Sequence, residues 1–143
     1  MKIIEALLGE HGVFYAQFDH LEQAVPAAQT LAQVQAQVSL LAAGLATHAH
    51  LEDELLFAKL DPLGPVAVMR QEHDQIEGDL GQVQEAGDLA QAQRLVLHAI
   101  QVARDHFTKE EELLFPMAEQ ALGAETLTQL GSQWAKQRRV KIR

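Results

Sequence analysis

The sequence predicts an all-α fold: an antiparallel up-down-up-down four-helix bundle with a short fifth helix at its C-terminal end. Three observations carry this expectation. Ala, Leu, Gln and Glu dominate the 143 residues while aromatics are 5%, and such a composition favours helices over strands. Breakers fall at Pro26, at "DPLGP" (61–65), at "EAGD" (85–88) and at Gly123, and the stretches between them are long and apolar-periodic. The connections are short, which makes successive helices antiparallel neighbours.

The first helix is expected over 3–23, where Ile4, Leu7, Leu8, Phe14 and Phe18 recur at helical spacing. The second, over 27–60, shows Leu41, Leu45, Leu51, Leu55 and Leu56 on one face; the third, over 65–85, shows Val66, Met69, Ile76 and Leu80. A fourth runs over 88–121 with Leu95, Val102, Leu113 and Leu114 inward, and Pro116 is expected to bend or end its regular part. Residues 1–122 thus form one bundle. Residues 123–143 form a short helix over 124–138 plus a basic tail, packed on the bundle or trailing it. Leu127, Leu130 and Trp134 give that helix an apolar face, and Trp134 also offers a contact for a homodimer.

Composition excludes several functions. The chain has no cysteine, so disulfides, thiolate-held zinc, iron–sulfur ligation and thiol nucleophiles are all ruled out, and any metal must use nitrogen and oxygen ligands. No stretch approaches the roughly 20 apolar residues of a membrane span, and the start "MKIIEALLGEHG" has its apolar run broken by Glu5; a cytoplasmic protein is expected. The net charge is −9, a poor match to phosphate backbones, so nucleic acid is not the expected partner. Five of the eleven basic residues crowd into "KQRRVKIR" at 136–143, which reads as a solvated, frayed terminus able to touch an anionic surface.

The chain partly repeats itself. "HAHLEDELLF" from His48 superposes on "HFTKEEELLF" from His106, pairing Glu52 with Glu110 and Asp53 with Glu111, while His50 meets Thr108. The preceding helices agree, because "EH" at 10–11 matches "EH" at 72–73, each followed by apolar residues at plus three and plus seven. One helix pair is written twice. His11, His48, His73 and His106 all fall within apolar stripes, whereas His50 is rotated about 200° from His48 and faces solvent. His20 and His98 lie off the inward faces and read as surface or boundary residues.

A single buried histidine is usually a hydrogen-bonded core residue, and His-x-x-x-Glu is often a surface ion pair. Four inward histidines sharing a register, two followed one turn later by Glu52 and Glu110, argue instead for metal, since unpaired burial would cost several kcal/mol per group. Six such ligands are too many for one tetrahedral zinc. They suit two six-coordinate ions joined by bridging carboxylates, with positions left for a solvent bridge and a small ligand, and iron fits best.

These residues, namely His11, "HAHLEDELLF", "EHDQIE" and "HFTKEEELLFP", resemble the hemerythrin-like, HHE cation-binding domain family over roughly residues 5–120. The resemblance implies a four-helix bundle holding two non-haem irons in an oxo- or hydroxo-bridged centre, although other divalent ions can occupy such a site in purified protein. It implies that Glu52 and Glu110 bridge the irons, that His11 and His48 hold one, and that His73 and His106 hold the other. Ferritin-like bundles use Glu-x-x-His instead, a spacing this chain lacks.

Oxygen-carrying hemerythrins have a fifth histidine where this chain has Glu77. As a ligand, Glu77 would lower the charge of a diferric centre from about +2 to about +1 and depress its potential, weakening a carrier role. It can equally hydrogen-bond the His73 ring or face a polar edge. Tyr15, its counterpart in the first half, either bonds near the open positions or packs in the core. Three classes remain: a protein binding iron and O2, NO or peroxide in sensing, storage or stress response; an oxidoreductase or iron-centre repair protein; and a metal-free interaction bundle.

Overall fold

A computed structural model describes residues 1–142. Helix α1 spans Ile3–Ala27, α2 Leu31–Leu51, α3 Ala58–Leu60, α4 Gly64–Gln84, α5 Leu89–Lys109 and α6 Phe115–Arg138. Two π-helical segments, Glu52–Phe57 between α2 and α3 and Glu110–Leu114 between α5 and α6, join their neighbours into continuous rods. There are therefore four long rods, with the remainder of α6 as the fifth helix; no strand occurs among the described residues.

Two expected boundaries shift, the end of the first helix and the start of the second, and the others hold closely. The first helix takes in Pro26 and runs on to Ala27; the ring removes one N–H donor from the last turn, but too little helix follows it for a kink. The second helix begins at Leu31, not at 27, because Thr30 caps it: the Thr30 hydroxyl accepts from Gln33 N (3.2 Å) and Gln33 Oε1 accepts from Thr30 N (3.2 Å). Thr30→Ala should cost about 1 kcal/mol, seen as a lower urea midpoint at unchanged slope. Pro116 does not stop the fourth rod; Gly123, at φ 75°, does, and it re-aims the chain into the C-terminal helix.

The core is two apolar clusters with a polar layer between them. One contains Phe14, Phe18, Val38, Leu41, Ile76, Leu80, Val96 and Phe107; the other contains Ile3, Leu7, Leu56, Phe57, Met69, Leu114, Leu127 and Leu130. On every rod the division falls at the inward histidine or glutamate. The stripe around His106 differs from the expected one: Leu113 is exposed and Leu95 and Val102 only half-buried, while Ala99, Ala103 and Phe107 take the inward positions. On this rod the inward face is centred to one side of His106, on Ala99, Ala103 and Leu114, so Leu95, Val102 and Leu113 fall at its edge.

The C-terminal helix packs on α1 through Leu127 and Leu130. Gly131 is buried against the chain start, where an added Cβ would collide with the Met1 carbonyl oxygen. Gly131→Ala should therefore destabilise by about 1–3 kcal/mol, read as a lower melting temperature with the helical circular dichroism retained. Lys136 to Arg138 continue the helix to the end expected for it, where it closes on Arg139 in the left-handed conformation (φ 57°); Arg143 lies outside the described residues. No helix of the described residues is long and apolar enough to cross a membrane.

Candidate metal centre

Each rod delivers one imidazole to the same level, and the second and fourth also deliver a carboxylate one turn on. The result is two overlapping groups, His11–His48–Glu52–Glu110 and Glu52–His73–His106–Glu110, whose ligand-type atoms lie within 4.8 Å of one another. Both glutamates belong to both groups. Glu52 divides its oxygens, Oε1 standing 3.1 Å from His48 Nε2 and Oε2 3.1 Å from His73 Nε2. Glu110 Oε1 lies 2.9 Å from His106 Nε2 and 3.6 Å from His11 Nε2. All six residues are buried, both glutamates completely.

Glu77 is not among them. It is exposed on α4 and lies at the rim of a cavity beside the site, outside both groups. Tyr15 is half-buried and donates its hydroxyl to Glu111 Oε2 at 2.6 Å. His20, His50 and His98 are exposed, as their helical positions require; His50 meets only Glu54, at 3.3 Å. Trp134 is half-buried and donates its indole N–H to Glu10 Oε2 within the chain.

An outer ring of carboxylates, which sequence reading did not assign, orients the imidazoles. His11 Nδ1–H donates to Glu111 (2.9 Å), His48 to Glu10 (2.8 Å) and His106 to Glu72 (3.3 Å), while His73 Nδ1 faces Asp53 at 3.9 Å. Each acid adjoins an inner residue in sequence but serves an imidazole on another rod. The "EH" repeat and the Asp53/Glu111 match were the available signal. A proton held at Nδ1 leaves the Nε2 lone pair pointing inward, the tautomer a metal requires.

The outer acids are in turn anchored, differently in the two halves. Glu10 accepts from Trp134 Nε1 (2.6 Å) and from Arg138 through Nε (3.0 Å) and Nη2 (2.8 Å). Its counterpart Glu72 has, among the described residues, only Lys109 (2.6 Å) beyond His106. Burial opposes ionisation of Glu10, but the hydrogen bonds from His48 and Arg138 outweigh it and hold the carboxyl down at about 2.

Charge within the layer is also uneven. Burial lowers the affinity of His48 for a proton, yet the Glu52 charge and the Glu10 contact prevail and push it up to about 9; His73, beside Asp53 and Glu52, also rises to about 9. Burial and the neighbouring His73 cation bring His106 down to about 4. Glu52 stays well below the usual carboxylate range, its burial outweighed by His48, whereas burial and the Glu52 charge drive Glu110 well above it.

The donor set fits a pair of cations on one observation above all. The four inward Nε2 atoms and all four oxygens of Glu52 and Glu110 are buried without a hydrogen-bond partner. Buried polar atoms are almost always paired, so eight unsatisfied atoms facing one another mark a place for ions. The family model described as the hemerythrin HHE cation binding domain matches residues 2–118, and again 65–133. The overlap is what a helix pair written twice would give. No curated protein and no solved structure matches the chain.

Proposed function

The chain belongs to the hemerythrin HHE cation-binding domain family, and from that premise we propose that it is a non-haem di-iron protein binding a small ligand, O2, NO or peroxide, in sensing, storage or stress response. The observation carrying this reading is the set of eight unpartnered inward atoms on two groups that share both carboxylates. Two irons, when bound, supply paired one-electron chemistry beside positions open to a small ligand. His11 and His48 would hold one and His73 and His106 the other, with Glu52 and Glu110 between them.

The chain's own residues do the rest. Two apolar clusters close the layer from either end, and their low polarity strengthens the electrostatic interactions between them. The outer acids keep the imidazole protons at Nδ1. With Glu77 exposed and outside both groups, its charge does not enter the ligand count, and the two positions offer matching donor sets.

A second reading, an oxidoreductase that reduces the ligand, is favoured by the Tyr15 hydroxyl, a proton donor that shares its acceptor, Glu111 Oε2, with His11 Nδ1 and so stands beside the site. Anaerobic titration with ferrous iron tests the shared premise. Uptake should stop at two irons per chain; uptake well below one would leave only the interaction bundle. Reversible bleaching on deoxygenation would then favour binding, and catalytic consumption of peroxide or NO would favour reduction.

A further inference from the structure

A cavity of about 230 Å³ opens between α2 and α4 and reaches His48, His73 and His106. Its α2 wall is Ala42, Ala46 and Ala49, and its α4 wall is Ile76, Leu80 and Gly81. Among the described residues, Glu77 is the one carboxylate that borders it.

The internal repeat supplies a comparison within the same molecule. In the other half, the positions matching Ala42, Ala46 and Ala49 are Ile100, Arg104 and Phe107, and those matching Ile76, Glu77 and Leu80 are Phe14, Tyr15 and Phe18. There the gap is filled. Phe107 stacks on the His11 ring with centroids 3.8 Å apart and planes 9° from parallel. The Arg104 guanidinium covers Tyr15 and Phe18 at 6.0 and 5.4 Å and is tied down by Asp19 and Glu22. The same bundle geometry is thus closed by large side chains on one side of the site and left open by alanines on the other.

The opening exceeds what a diatomic needs. An apolar cavity of about 150 Å³ already takes benzene. We propose that the cavity binds an uncharged organic molecule with an apolar body of roughly six to ten non-hydrogen atoms and one polar end. The body lies against Ala46, Ile76 and Leu80, and the polar end faces the three imidazoles. Glu77 on the rim repels an anion, and the apolar walls favour an uncharged body. The direction of the polar end rests on the imidazoles being metal ligands; occupancy of the cavity does not.

Benzyl alcohol tests this on the full chain, metal-free and loaded with redox-silent zinc, by calorimetry and ligand-observed NMR. One saturable site per chain is expected, with benzoate failing to compete. Ala46→Phe should weaken binding at least tenfold, and the milder Ala42→Ile, which copies the repeat partner, should weaken it several-fold. In cobalt(II)-loaded protein, benzyl alcohol but not toluene should shift the visible bands. Absence of saturable binding to the unaltered protein, or full binding by both variants while folded, overturns the proposal. A protein that holds two zinc ions yet ignores the probe sinks this inference alone. One that binds the probe but takes no metal supports the cavity and sinks the di-iron reading.

Discussion

In metal-free protein, Glu52→Leu should lower the unfolding free energy by about 3–5 kcal/mol, whereas Glu110→Leu should leave it unchanged or raise it by up to about 4 kcal/mol. By sequence the two glutamates are interchangeable: each follows a histidine by four residues, and each opens a π segment. Their electrostatics differ. Glu52 is the carboxylate whose two oxygens face His48 and His73, the imidazoles that burial would discharge but their acidic neighbours keep protonated up to about 9. Removing it strands positive charge in a dry interior. Glu110 is driven to its neutral form by burial and by Glu52, opposite a His106 brought down to about 4, so its replacement by an apolar side chain removes an unsatisfied acid and no countercharge. Urea unfolding with chelator present measures both. Equal destabilisation by the two variants would refute this charge assignment. Each variant should also disturb both metal positions, since each carboxylate belongs to both groups.

The same charges set a pH dependence. His48 and His73 are raised from 6.5 to about 9, so the stability they contribute to metal-free protein is fully present below 6.5 and is lost as pH rises through about 9. Metal uptake runs the other way, because ions must displace these protons and bind more tightly as pH rises. Thermal melts from pH 6 to 10 should therefore fall for the chelated protein, while zinc affinity climbs over the same range.

Breaking the clamp on Glu10 should weaken metal binding from a distance. Glu10→Ala removes the acceptor of His48 Nδ1–H, and loss of such a partner typically costs about 10–100-fold in affinity. Arg138→Ala and Trp134→Phe should reproduce a several-fold part of that loss without touching any inner residue, because they leave Glu10 free to swing from His48. Lys109→Ala is the contrast. Its ammonium is half exposed, and a single exposed ion pair contributes about 0–1 kcal/mol, so zinc competition should register little change. If Arg138→Ala and Lys109→Ala behave alike, the C-terminal helix has no hold on the site.

Much of this was legible in one dimension. Helical periodicity selected His11, His48, His73 and His106 and rejected His20, His50 and His98, because burial on a helix follows from angle alone, and the repeat tied four separate helices to one level. Two details misled. Leu113 matches the buried Leu55 in the repeat yet is exposed, since it lies at the edge of its rod's inward face and what covers such an edge is decided by the neighbouring rods. Thr30 with Gln33 was a readable capping box that outranked the proline before it.

From sequence alone came the all-helical bundle, the four imidazoles and two glutamates of its polar layer, and the exclusion of thiolate chemistry, because these depend on composition and on period along single rods. Tertiary structure alone decided that Glu77 stands outside both groups, that Glu10, Glu72 and Glu111 each serve a histidine on another rod, that Arg138 reaches back across the chain to Glu10, and that a cavity opens on one side of the site. Those are relations between rods, set by how side chains of unequal volume and charge fill the space between them, and no periodicity within one helix encodes them.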